Sequence, residues 1–251
     1  MKKLIGVFLL LSFFYSCSDS SDATVLESSN TGQGGSLARF TIVGDYLYTL
    51  EPNQLRWYKI SGDGNLESQG VENFDGEKET IFPLGNLLFL GANEGMSIYQ
   101  IGADGTPEFQ SEVRHIVACD PVVANTNYAF VTLRTESCQF LGAAETENVL
   151  NIYDVNDINN PNILASYDMI SPRGMGLAGD FLFLCEGPFG LRTLNVSDPQ
   201  AVEFLAFDES IHANDVIVLP EVLLVIGPDN ITQFDYSDPT NLVKISEISI
   251  E

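Results

Sequence analysis

Residues 179–199, GDFLFLCEGPFGLRTLNVSDP, contain the structural unit that the rest of the chain repeats. Their pattern predicts one apolar strand over residues 181–184 and a second over residues 191–196. A Gly/Pro turn lies between the two strands, and a Ser-Asp-Pro turn follows the second. Because two strands alone leave their faces in water, such a pair is marginal by itself. The stretch therefore predicts further strands that cover it.

The same pair of strands recurs along the chain in five copies. The second strands end at residues 60, 101, 155, 196 and 236, so copies are about 40 residues apart, except around an insertion at residues 135–148. Each copy also has an apolar strand before the pair and another after it, and no amphipathic helix is apparent. Four strands at this period are typical of a propeller blade. The sequence predicts an all-β, five-bladed β-propeller with four antiparallel strands in each blade.

The predicted propeller occupies residues 37–251 as a single domain. Its blades fall at approximately 37–74, 75–114, 115–168, 169–209 and 210–251. A curved, unclosed array of blades is the alternative to a closed ring. We favour closure, because an open array would leave two edge strands unpaired.

The N-terminus has the pattern of an export signal. Lys2 and Lys3 precede an apolar run over residues 4–15, which is too short to span a bilayer, and Ser16 comes directly before Cys17. This predicts a lipoprotein signal peptide over residues 1–16 and a lipid on Cys17; an ordinary secretory signal is the alternative. Residues 17–36 are rich in Ser, Asp and Gly and predict a flexible tether. We expect an exported envelope protein that this lipid anchors in the outer membrane, on either its periplasmic or its surface side.

Composition restricts the possible partners and cofactors. The chain has 35 acidic and 11 basic residues and a net charge of −24, which excludes nucleic acid as a partner, because nucleic-acid binding depends on Lys and Arg. Two histidines without a ligand cluster predict no metal site. The chain carries no Gly-x-Ser-x-Gly, phosphate-loop or dinucleotide motif, and we predict no cofactor.

The repeated sequence pattern is clearest over residues 119–199, in NVLNIYDVNDINNPNILASYDM (148–169), PRGMGLAGDFLFLCEG (172–187) and GLRTLNVSDP (190–199). This pattern resembles that of the LVIVD-repeat family of bacterial exported proteins. The resemblance implies a propeller fold and an envelope location, and it implies no known reaction.

Propeller geometry predicts that most of the unusual residues share one face. That face holds the connections from the fourth strand to the next blade and from the second strand to the third. A mixed polar rim around a channel mouth is a plausible site for a small ligand or a peptide, although short polar connections are exposed in any propeller. The candidate rim residues are Arg39, Glu79, His115, Asp120, Arg173, His212, Asn214 and Asp215.

Two further hypotheses concern the same face. Cys119 and Cys138 lie within reach of each other, so a disulfide is possible in an exported protein, against two free thiols. Glu79 and Asp120 would be the paired carboxylates if the protein were a carbohydrate-active enzyme. Our leading interpretation is a non-enzymatic binding or scaffolding module whose partner is another envelope protein, a peptide or a glycan.

Overall fold

The computed structural model describes residues 34–92, 95–114, 121–134 and 148–250. These residues form five sheets of four antiparallel strands arranged around one axis, and they contain no helix. The prediction of an all-β propeller with five four-stranded blades is confirmed.

The strands follow one another in chain order within each blade. Blade 1 contains β1 (Phe40–Val43), β2 (Tyr46–Glu51), β3 (Gln54–Ile60) and β4 (Leu66–Asn73). Blade 2 contains β5 (Lys78–Leu84), β6 (Leu87–Ala92), β7 (Gly95–Ile101) and β8 (Pro107–Arg114). Blade 3 contains β9 (Val122–Ala124), β10 (Tyr128–Arg134), β11 (Asn148–Asp154) and β12 (Asn162–Asp168). Blade 4 contains β13 (Met175–Ala178), β14 (Phe181–Cys185), β15 (Leu191–Asn195) and β16 (Glu203–Asp208). Blade 5 contains β17 (Asp215–Val218), β18 (Val222–Ile226), β19 (Asn230–Asp235) and β20 (Val243–Ser249).

The first strand of each blade lies nearest the axis. Along the chain, β1 contacts β5, β5 contacts β9, β9 contacts β13 and β13 contacts β17. In every blade the third and fourth strands have a β-bulge at the same place, which increases the local twist. The bulges lie at Trp57/Tyr58, Ile98/Tyr99, Ile152/Tyr153, Thr193/Leu194 and Gln233/Phe234. The five blades are therefore copies of one structure.

A glycine opens the predicted unit for a conformational reason. Gly44, Gly85 and Gly179 stand in the tight turn between the first and second strands, with φ of 57°, 56° and 58°. This left-handed region is readily accessible to glycine and strained for most other residues. The Gly-Asp and Gly-Asn pairs of the sequence thus mark the hairpin that begins each of these blades.

Apolar side chains are packed between consecutive blades. Four buried clusters lie at the junctions of blades 1 and 2, 2 and 3, 3 and 4, and 4 and 5. Phe183 of blade 4 is fully buried at the last of these junctions, where its ring meets that of Tyr236 edge-on at 5.5 Å. The central strands of blades 2 to 4 are buried on both faces.

The faces of blades 5 and 1 that look away from these clusters are less well covered. In blade 5, Leu223 is buried against blade 4, whereas its neighbour Leu224 points to the other face and is half-buried. In blade 1, Phe40 lies on the face opposite the cluster with blade 2 and is 64% exposed. Alternate residues along β2, β3, β18 and β19 are therefore accessible to water. We call these two faces together the seam.

A polar latch connects the chain segment before blade 1 with blades 4 and 5. The Asp215 carboxylate accepts hydrogen bonds from the backbone N–H groups of Ser36 and Leu37, and Ser36 Oγ donates to it at 3.4 Å. Ser36 Oγ also accepts a hydrogen bond from the Met175 N–H at 2.6 Å. A Cβ on Gly174 would stand 2.1 Å from an Asp215 carboxylate oxygen, so only a residue without a side chain leaves room for the latch.

Candidate functional site

A groove lies between blades 1 and 2, on the face that holds the connections from the fourth strand of one blade to the next blade. Its walls are the connection from β4 to β5, which is residues 74–77, and the end of blade 2 formed by β7 and β8. The cavity measures about 680 Å³. Cavities of roughly 300–1,000 Å³ are typical of ligand sites. The groove is therefore large enough to hold a ligand.

The floor of the groove carries a buried positive charge. Lys78, the first residue of β5, is 7% exposed, and its Nζ donates hydrogen bonds to Ser97 Oγ at 2.7 Å and to Glu112 Oε1 at 3.1 Å. The same Nζ lies 5.9 Å from the centroid of the Phe74 ring. A buried ammonium is costly unless it is paired. These contacts satisfy Lys78 and hold it in one position.

Glu112 is ionised in this environment. Partial burial raises the pKa of its carboxyl group, but hydrogen bonds from Arg114 and Lys78 outweigh that effect and lower the pKa overall. Arg114 Nε lies 2.9 Å from Glu112 Oε2, opposite the Lys78 contact. A carboxylate held between two cations is a poor general acid, because it does not carry a proton near neutral pH.

Three aromatic rings form one wall. Phe74 and Tyr99 lie 6.2 Å apart between ring centroids, and Tyr99 meets Phe109 edge-on at 5.5 Å. Burial, together with the negative charges of Glu72 and Glu112, raises the pKa of the Tyr99 hydroxyl to about 12, so this hydroxyl stays neutral. Phe109 is 54% exposed at the outer end of the groove. An exposed aromatic ring beside a buried one offers a stacking surface.

A smaller cavity of about 330 Å³ shares Glu77 and Lys78 with the groove. Two predicted rim residues, Arg39 and Glu79, line this smaller cavity. Leu37 lines it as well, and the Leu37 N–H bonds Asp215 in the latch. The structure thus places Arg39 and Glu79 beside the groove.

Three other predicted residues lie together at the junction of blades 4 and 5. Arg173 Nη1 donates a hydrogen bond to Asn214 Oδ1 at 2.7 Å, and Asp215 follows Asn214 in the latch. Burial raises the pKa of Asp215 to about 6, although the backbone amides of the latch oppose this shift. His212 is exposed nearby in the chain. Arg173 thus bonds Asn214, and Asp215 bonds the latch, which are structural contacts.

The remaining predicted positions lie outside the described residues. They are Cys17, His115, Cys119, Asp120 and Cys138, so the lipid anchor, the disulfide and the pairing of Glu79 with Asp120 stay predictions. Cys185 is described and is a fully buried free thiol.

Sequence reasoning missed the groove itself. Lys78 stands directly before Glu79, but its burial had no local signal, since lysine is rarely buried and the apolar run of this strand begins only at Ile81. Phe74, Tyr99 and Phe109 gave no such signal, because aromatic residues are common throughout the repeats. Only the packing of two blades brings the three rings to one wall.

A second buried ion pair lies in blade 4 and bonds the connection that precedes this blade. Glu186 is fully buried, pairs with Arg192 Nε at 2.5 Å and accepts a hydrogen bond from the Ser171 N–H at 2.6 Å. Arg192 in turn lies over the Phe207 ring at 4.1 Å from its centroid. This network fastens the connection between blades 3 and 4.

The described part of the chain offers neither a metal cluster nor a membrane-spanning helix. Within it, no group of three or more His, Cys, Asp or Glu side chains is placed to hold a metal ion. None of its segments is a helix with the length and apolar character needed to cross a membrane.

Comparison with known proteins supports the fold. No family model matches the sequence, and no curated protein sequence matches it. A functionally unknown protein from Desulfotomaculum acetoxidans DSM 771 has a similar structure, with a TM-score of 0.68 and 10% identity over 87% of this chain and 71% of that one. The periplasmic gluconolactonase PpgL of Pseudomonas aeruginosa gives a TM-score of 0.62 and 15% identity over 84% and 68%.

AztD of Citrobacter koseri is similar as well, with a TM-score of 0.56 and 12% identity. That similarity covers 84% of this chain and 64% of AztD. Identities this low show the shared fold and nothing about activity. The class that the fold and the groove define is a propeller with a candidate binding site between two blades.

Proposed function

We propose that this protein is a non-enzymatic binding module of the cell envelope, anchored by a lipid on Cys17, which takes its ligand into the groove between blades 1 and 2. The observation that best supports this proposal is that one groove combines the exposed Phe109 ring with the buried Lys78 ammonium on its floor. A fixed charge and an accessible aromatic surface are features of a ligand site. The envelope location rests on the export signal and on the resemblance to LVIVD-repeat proteins.

The state of Glu112, among the groove residues that the structure describes, favours binding over catalysis. A glycosidase of the common type needs a carboxyl group whose raised pKa keeps it protonated. Among the described residues of the groove, Glu112 has a lowered pKa. Asp215 has a raised pKa, but its carboxylate is enclosed by Ser36 and Leu37 in the latch. We therefore place the enzyme second.

Photo-crosslinking on intact cells tests the binding site. Benzoylphenylalanine would replace either Phe109 or Phe204, which occupies the same place after the bulge of blade 4 and is 51% exposed. We expect a covalent adduct of defined mass at position 109 and none at position 204. No adduct at 109, or equal adducts at both positions, would contradict the proposed site.

The lipid anchor is tested separately. Labelling of growing cells with radioactive palmitate should mark the wild-type protein, and Cys17→Ala should abolish the label and release the protein from the membrane fraction. Unchanged labelling in Cys17→Ala would show that the anchor is elsewhere.

A further inference from the structure

We infer that the groove between blades 1 and 2 binds a basic polypeptide segment, one in which a lysine or arginine stands next to an apolar side chain. This inference rests on the proposed function, because it assigns a ligand class to the same site. It follows from the charge balance of the groove and from the position of its aromatic wall.

The charge balance leaves negative charge available at the rim. On the floor, Glu112 is already paired with Lys78 and Arg114. At the rim, the carboxylates of Glu72, Asp75 and Glu77 are exposed and make no hydrogen bond or ion pair with a described residue. Because the whole chain carries a net charge of −24, an anionic ligand would be repelled. The rim of the groove, in contrast to its Lys78 floor, is therefore complementary to a cation.

The aromatic wall adds an apolar requirement. Phe109 presents its ring to solvent beside the buried Tyr99. A cation over an aromatic face is attracted by the ring quadrupole, and the methylene stem of lysine or arginine packs on the same surface. An apolar neighbour in the ligand would cover the rest of Phe109. A ligand with both groups uses the rim and the wall at once.

A polypeptide fits the shape better than a single small cation. The groove and the smaller cavity lined by Arg39 and Glu79 are neighbours that share Glu77 and Lys78, so a ligand that occupies both would be extended. An extended segment presents successive side chains along such a path. A neutral glycan would stack on Phe109 but would leave the rim carboxylates unpaired.

Titration calorimetry with three synthetic peptides tests the ligand class. The first alternates lysine and leucine, the second replaces each leucine by glycine, and the third replaces each lysine by glutamate. We expect the first peptide to bind about tenfold more tightly than the second. The third should not bind, and affinity for the first should fall as salt is raised. Equal affinity for the first two peptides would overturn the inference.

Two charge-matched double variants distinguish binding in the groove from non-specific attraction of a basic peptide to an acidic protein. Asp75→Asn with Glu77→Gln removes two rim carboxylates, whereas Asp180→Asn with Glu209→Gln removes two exposed carboxylates, one in the first hairpin of blade 4 and one just after its last strand. We expect the first variant to weaken binding of the lysine–leucine peptide about fivefold or more, and the second less than about twofold. Equal losses would show non-specific attraction and overturn the inference.

A pair of aromatic variants distinguishes this inference from the proposed function. Phe109→Ala should weaken binding of the lysine–leucine peptide, and Phe204→Ala should not. If maltoheptaose binds in a Phe109-dependent way and the peptide does not, the ligand class is wrong and the binding site stands. If neither binds and position 109 gives no crosslink in cells, both proposals fail.

Discussion

Consecutive blades meet at four junctions, from blade 1 to blade 5, and these junctions are built differently from the seam, which is formed by the remaining faces of blades 5 and 1. Four junctions hold buried apolar clusters, whereas the apolar residues of the seam faces are half-buried or exposed, and a polar latch ties the segment before blade 1 to blades 4 and 5. Leu223 and Leu224 show the difference within one strand, since they are adjacent and point to opposite faces. Consecutive blades are thus joined by apolar packing, whereas the latch holds the segment before blade 1 against blades 4 and 5 by hydrogen bonds.

The largest effect should come from removing an aromatic ring from a packed junction. Phe183→Ala should lower the free energy of unfolding by about 3–5 kcal/mol, because Phe183 is fully buried against blade 5 and the cavity would not be refilled. Chemical denaturation measures this loss. A loss below about 1 kcal/mol would show that this junction is as loose as the seam.

Protonation of the latch should have the next largest effect. The pKa of Asp215 is about 6 in the folded protein, above its ordinary value of 3.8, so the folded state binds this proton more readily than the unfolded state. The free energy of unfolding should therefore gain roughly 2 kcal/mol from this group as pH falls from 7 to 4, out of a full gain of about 3 kcal/mol. The gain is complete below the unfolded pKa and is lost as pH rises through 6.

Asp215→Asn provides the test of that pH dependence. The uncharged amide should remove this part of the slope between pH 4 and 7, while the exposed Asp180→Asn should keep it. Denaturation curves at several pH values compare the two variants with the wild type. An Asp215→Asn slope equal to that of Asp180→Asn would show that the latch does not bind the proton.

A smaller effect is expected for a leucine on the seam. Leu224→Ala should cost about 1 kcal/mol, because Leu224 is half-buried, whereas Leu223→Ala should cost about 2–5 kcal/mol in the same strand. The midpoint of urea denaturation gives both values. Equal costs would mean that blade 1 covers this face more fully in solution.

The smallest effect should be at Phe40. Phe40→Ala should change the free energy of unfolding by less than about 0.5 kcal/mol, because the ring is 64% exposed on the seam face of blade 1. Thermal denaturation is sufficient to measure this. A large loss would identify Phe40 as part of a packed junction.

Much of the fold was predictable because the signals are local. The Gly-Asp hairpins, the apolar strands and the period of about 40 residues each depend on a few neighbouring residues. The blade number follows from counting these units. The asymmetry between the seam and the other junctions could not be predicted, because the strands of blades 1 and 5 are as apolar as those between them.

The candidate site was predictable only in part. The face was inferred from strand direction, and Arg39 and Glu79 of the predicted rim lie beside the groove. Arg173, Asn214 and Asp215 lie instead in the contacts that hold blades 4 and 5 and the latch. A polar residue at the start of an inner strand looks the same in sequence whether it faces a cavity or bonds the backbone.

The sequence by itself determined the repeat and the all-β class, since these depend on residues close together in the chain. Only the tertiary structure decided that Lys78 forms the floor of a groove and that Asp215 closes a latch with Ser36. The partners in these contacts come from different strands or different ends of the chain. Their meeting depends on how blades pack around the axis, which no local pattern records.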